Sequence, residues 1–119
     1  MGIVDDEGAG VGLEGSGVIQ EIGADVNHLK VGDRVMMMDS TCFSTRKVCP
    51  ADRCVKIPDS LSFQEAATMP CVYSTVIYSL INMANLKAGQ TILIHSACGG
   101  VGIAAIQLCK MIGAKVLAI

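Results

Sequence analysis

The segment Ala97-Cys98-Gly99-Gly100-Val101-Gly102 limits what this chain can fold into more than any other. It follows the continuous apolar run Thr91-Ile92-Leu93-Ile94-His95 and opens a stretch, Gly100 to Gly113, that is apolar nearly all round. Lys115 to Ile119 then forms a second run. Apolar runs without polar alternation fit buried strands of a parallel sheet, and the strand–helix–strand order makes a β-α-β unit. A glycine-rich turn between strand and helix lets backbone N–H groups at the helix N-terminus face a pyrophosphate without obstruction. Gly99 is expected to admit the phosphates, and Gly102 to let the helix pack on the strand. Ala97 stands where GxGxxG has its first glycine, so the context carries the reading more than the letters do. The competing reading is a turn that serves close packing only. A P-loop is disfavoured, because no Gly-Lys-Ser/Thr follows. The acidic residue that holds an adenosine ribose is expected about 20 residues beyond the glycines, at or just past Ile119.

Upstream the pattern is short strands cut by turns. Gly17 to Gly23, Asp33 to Met38, Cys42 to Cys49 and Cys54 to Ile57 read as strands, which suggests a small antiparallel barrel or sandwich. Ser62-Phe63-Gln64-Glu65 is a capping box that starts a short helix at Ser62. Tyr73 to Leu86 reads as a second helix, ended by Lys87-Ala88-Gly89-Gln90.

Composition narrows the function classes. With 51% hydrophobic and 17% charged residues the chain has material for a core and lacks the polar bias of disorder. Nine basic against eleven acidic side chains, without a Lys/Arg cluster, argue against nucleic acid as a partner. No stretch reaches the roughly 18–20 apolar residues of a spanning helix. The opening Met1 to Glu7 carries acids where a secretory signal has bases. Six cysteines, at positions 42, 49, 54, 71, 98 and 109, show no CxxC pairs and are read as reduced thiols of a cytoplasmic protein.

The strings Gly12-Leu13-Glu14-Gly15-Ser16-Gly17-Val18, Val31 to Val35, Ile57 to Ala67 and Ile94 to Gly102, in that order, resemble the medium-chain dehydrogenases/reductases over nearly the whole chain from Gly12 onward. Within that superfamily the chain looks most like the enoyl reductase domain of a reducing polyketide synthase, with zinc-free quinone oxidoreductases close behind. The resemblance implies an α/β protein with an all-β part. Residues 1–70 would be part of a GroES-like substrate domain, and 71–119 the N-terminal part of a Rossmann-type NAD(P)-binding domain with its doubly wound parallel sheet. It implies NADPH as cofactor, an α,β-unsaturated acyl thioester on a carrier protein as substrate, other domains of the same synthase as partners, and a homodimer as a further option. The reaction implied is hydride transfer to the β-carbon, with protonation of the resulting enolate at the α-carbon. A degenerate, non-catalytic scaffold domain is the alternative from another class. Metal is not expected, because Leu13-Glu14 stand where zinc alcohol dehydrogenases have a ligating His, and Cys42, Cys49 and Cys54 are too widely spaced for a structural cluster.

The cofactor-binding candidates are Thr75, Cys98, Gly99, Gly100, Val101 and Gly102; no catalytic residue is assigned. By the resemblance Thr75 lies at the start of the long helix, where its hydroxyl approaches the nicotinamide carboxamide. Cys98 is a candidate reactive thiol within the loop. Tyr73 and Tyr78 are expected in the core, His95 as a hydrogen-bonded structural residue at the end of a buried strand, and His28 in a solvated turn. Glu14 is read as capping or salt-bridging, Asp33-Arg34 as turn chemistry with an ion pair, and Met36 to Met38 as a strand whose alternate side chains fill the core. A parallel pair with apolar residues on both faces leaves surface uncovered in a chain of this length. The isolated chain is therefore expected to be inactive and to aggregate on heating, and a cooperative transition in calorimetry would contradict this.

Overall fold

The computed structural model describes residues 10–119. The acidic opening Met1 to Glu7 lies outside the described residues. The chain divides into two compact units, one up to Pro70 and one from Cys71 to Ile119.

The first unit holds β1 (Glu14–Val18), β2 (Arg34–Met38) and β3 (Cys54–Lys56), an antiparallel sheet in the order β1-β2-β3. Glu14 faces Met38 and Val18 faces Arg34, while Val35 faces Lys56 and Met37 faces Cys54. The first strand starts and ends earlier than the expected Gly17 to Gly23. Its last contacts join Ile19 to Gly32 and Asp33, after which Lys30 N–H bonds the Asp33 carboxylate at 2.9 Å and turns the chain. Cys42 to Cys49 is no strand. Thr41 adopts a left-handed φ of 61°, and the Lys47 ammonium folds back onto Ser40 O, Thr41 Oγ1 and the Asp39 carboxylate. Met36 and Met37 are only half-buried and Met38 is exposed, so Val35, at 2% exposure, is the residue of β2 that fills the core.

Asp33 and Arg34 do not pair with each other. Asp33 bonds Lys56 at 2.7 Å, whereas Arg34 donates to Pro58 O and Leu61 O at 3.0 and 2.7 Å and lies 4.6 Å over the Phe63 ring. Its guanidinium thus ties β2 to the segment that enters α1 (Phe63–Ala66). Ser62 caps that helix as expected: its hydroxyl accepts from Glu65 N–H, and the Glu65 carboxylate accepts from Ser62 N–H at 2.9 Å.

In the second unit α2 (Pro70–Val76) begins three residues before the expected Tyr73 and widens into a π-helical stretch, Ile77–Met83. The Thr75 and Ser79 hydroxyls donate to Cys71 O and Thr75 O, four residues back, which loosens the regular ladder. Asn85, at a φ of 51°, follows the helical segment, whereas Gly89 serves the turn into β4 (Thr91–Ile94). Strand β4 pairs in parallel with β5 (Lys115–Ala118) across α3 (Gly100–Ile112), whose end is closed by the left-handed Gly113. Val76, Ile94, Ala97, Ala104, Ala105, Leu108 and Cys109 form the core of this unit. On the opposite side of the pair the partners Leu93 and Leu117 are 51% and 59% exposed. Among the described residues, no helix is long and apolar enough to cross a membrane.

The carboxylates of the first unit set its acid limit. Hydrogen bonds from Lys56 to Asp33, from Lys47 to Asp39 and from Ser62 to Glu65 hold all three below their ordinary range. Each binds protons more weakly folded than unfolded, so its stabilising contribution is complete only above about pH 5 and fades as pH falls through the unfolded and then the lower folded value. Carbon-13 titration is expected to place Asp39 below about 3.9, and Lys47→Met to bring it back up; an Asp39 midpoint at or above about 3.9 in the unaltered protein would contradict the assignment.

Candidate functional site

The loop from His95 to Gly99 leaves β4, turns, and delivers the chain to α3. Ser96 makes this possible with a left-handed φ of 54°, and Gly99 N–H closes the turn on Ser96 O at 3.0 Å. Ala97 N–H bonds Ile119 O at 3.1 Å and Ile119 N–H bonds Ile94 O, so the loop is anchored on the end of β5. Gly102 lies against Ala97: a Cβ there would stand 2.6 Å from Ala97 Cα and 2.7 Å from its carbonyl carbon. No side chain fits.

Gly99 and Gly100 differ from Gly102. A Cβ on Gly99 would meet only Ser96 O at 3.4 Å, and one on Gly100 only Val72 Cγ1 at 3.5 Å. The protein's own packing does not require glycine at either place. What the two glycines provide is open space before the first turn of α3, where Gly99 is the N-cap and no side chain caps the free N–H groups. Thirteen residues of helix stand behind those N–H groups, so their partial positive charge is directed at that space. The cradle fits a phosphate-bearing group.

The other expected residues fall around this loop or away from it. Cys98 and Val101 are exposed beside it. Thr75 is well inside α2 rather than at its start, because the helix begins at Pro70; its hydroxyl is exposed and donates to Cys71 O at 2.7 Å. Tyr73 packs on the core and donates to Gln107 Oε1 at 3.1 Å, but Tyr78 is 61% exposed and no core residue. His95 is exposed, one residue past β4 and outside the buried strand expected for it. His28 is exposed, with Nε2 3.2 Å from Ala51 O, and Glu14 opens β1. Burial pushes the Cys109 thiol up, which suits a packing residue. Ser96 and Val72 were not anticipated; the signal for Ser96 was a small polar residue directly after an apolar strand. Among the described residues, no three of His, Cys, Asp and Glu gather in a way that would hold a metal ion.

Residues 4–70 match the alcohol dehydrogenase GroES-like domain family. A highly reducing polyketide synthase of Glarea lozoyensis is 57% identical over 117 residues, which is 98% of this chain and 4% of that protein. Among solved structures, the JamJ enoyl reductase superimposes with a TM-score of 0.83 and 38% identity over 99% of this chain and 36% of its own. The quinone oxidoreductase of Escherichia coli, solved in complex with NADPH, gives 0.76 and 33% over 92% of this chain and 34% of its own. The chain thus spans a small part of the curated relative and about a third of each structure.

The glycines separate structural from ligand roles. Gly102→Ala is expected to destabilise the second unit by about 1–3 kcal/mol through overpacking on Ala97, read from faster amide exchange in α3. Gly99→Ala is expected to leave that exchange unchanged, and equal damage from both would refute the distinction.

Proposed function

Because the chain belongs to the medium-chain dehydrogenase/reductase superfamily, by its GroES-like region and its relatives, we propose that it is part of an NADPH-dependent enoyl reductase within a polyketide synthase. The observation that carries cofactor binding is the loop Ala97–Gly102, in which Gly102 is required by packing while Gly99 and Gly100 leave the helix N-terminus uncovered. On this reading residues 1–70 are part of the substrate domain and residues 71–119 begin the Rossmann-type cofactor domain; the division into two units after Pro70 supports that boundary. The likeness to a highly reducing polyketide synthase over nearly the whole chain supports the synthase context. Other domains of that synthase are then its partners, and the six free cysteines fit a reducing cytoplasm.

NADPH, when bound, supplies hydride to the β-carbon of an α,β-unsaturated acyl thioester. The N–H groups of Gly100, Val101 and Gly102 would hold its pyrophosphate, Gly99 would let it approach, and Cys98 would line the rim. Thr75 already gives its hydroxyl proton to Cys71 O, so its oxygen is left as an acceptor, the polarity that a carboxamide N–H requires. The chain's own contribution is to bind and orient; none of its residues is assigned as proton donor.

Quinone reduction is the second reading, supported by the likeness to the Escherichia coli quinone oxidoreductase. In the full-length protein, NADPH fluorescence is expected to rise on titration and Gly99→Val to weaken binding about tenfold or more by filling the phosphate space. No enhancement at millimolar cofactor would overturn the reading. NADPH consumption with crotonyl thioester but not with a quinone is expected, and the reverse preference would favour the second reading.

A further inference from the structure

Cys49 and Cys54 flank the short 3-10 turn Ala51–Arg53, and their sulfur atoms stand 3.4 Å apart. Arg53 N–H closes that turn on Pro50 O at 3.1 Å, and Cys54 opens β3, where pairing with Met37 fixes its backbone. The Cys49 sulfur also lies 4.0 Å from Met37 Sδ. Both thiols are half-buried, and both line a cavity of about 940 Å³ in the first unit, which gives a small oxidant a route to them. A disulfide needs its sulfurs at about 2.05 Å, so at 3.4 Å the pair stands a little over 1 Å short of bonding.

We propose that Cys49 and Cys54 are a redox-active dithiol, a modification site at which hydrogen peroxide closes an intramolecular disulfide. The Cys54 thiol points its proton at Pro50 O, 3.9 Å away, and burial, with Cys49 beside it, pushes that thiol up; Cys49 is therefore the sulfur that meets the oxidant. The Cys49 thiolate attacks one peroxide oxygen; a sulfur–oxygen bond forms, the oxygen–oxygen bond breaks, and the sulfur is oxidised by two electrons as hydroxide leaves. The hydroxide takes up the proton that Cys49 released. The Cys54 sulfur then attacks the sulfenic sulfur of Cys49, the sulfur–oxygen bond breaks, and the Cys54 proton departs with that oxygen as water. Two thiols and one peroxide give one disulfide and two waters, and an added dithiol reverses the closure.

Trypsin cuts after Lys47, Arg53 and Lys56, which places the two cysteines on separate peptides, Val48–Arg53 and Cys54–Lys56. The full-length protein is treated with stoichiometric peroxide, remaining thiols are alkylated, and the digest is weighed without reduction. The expected product is these two peptides joined, lighter than their sum by two hydrogens, formed about tenfold faster than any bridge to Cys71, Cys98 or Cys109, and lost on adding dithiothreitol. Alkylated thiols at both positions after the exposed Cys98 has been oxidised would overturn the proposal, as would a bridge from Cys42 to either. The same preference in concentrated urea would assign the bridge to nearness along the chain and equally refute a folded dithiol. In a Cys49→Ser variant Cys54 is expected to remain a thiol, and its oxidation at the original rate would refute the order of attack.

Discussion

The backbone of Ala97 and the Cα of Gly102 lie closer than any side chain allows, and the second unit is organised around that contact. With no Cβ between them, the first turn of α3 rests on the loop that leaves β4, and its narrow face of Gly102, Ala104, Ala105, Leu108 and Cys109 is buried, packed with Ile94 and Val76. A bulkier residue at 102 would lift the helix start, separate those small residues from the strand and turn the free N–H groups away from the space that Gly99 and Gly100 keep open. The same residue therefore governs the packing of the unit and the shape of its cradle.

The first unit depends on a different kind of contact. Arg34 spends two guanidinium N–H groups on backbone carbonyls and lays its plane on Phe63, joining strand, turn and capped helix through one side chain. Ser16 adds a second tie, with its hydroxyl on Phe63 O at 2.6 Å. All three bonds go to carbonyls that precede or open α1. Side chains from the sheet thus hold the helix entrance.

Legibility in the sequence followed the range of the forces involved. The capping box at Ser62 and Glu65 and the β-α-β order rest on short-range sequence patterns, and each stands where the sequence places it. Cys42 to Cys49 reads as a strand but folds as a loop, because its course is set by Lys47 reaching back to Asp39 and by backbone bonds from Cys42 and Phe43 to Gly12 and Val11. Periodicity carries no trace of such ties. The start of α2 at Pro70 was missed although proline suits a first helical turn, and the π stretch was missed because hydroxyl back-bonding competes with the ladder without altering the apolar pattern. In the site, the loop glycines were legible from their context. The difference between a packing Gly102 and an unobstructed Gly99 was legible too, whereas the open space at Gly100 was not, since it depends on where Val72 lies.

The in-register parallel pairing of β4 with β5 has a consequence for how locally the glycine loop is encoded. Every partner in that pair, from Thr91 with Lys115 to Ile94 with Ala118, is separated by the same short excursion through α3. Closing such an excursion costs little more chain entropy than a somewhat shorter one would. The loop Ala97–Gly102 is therefore framed from below by contacts that lie wholly within the β4–α3–β5 segment, and its shape is encoded there.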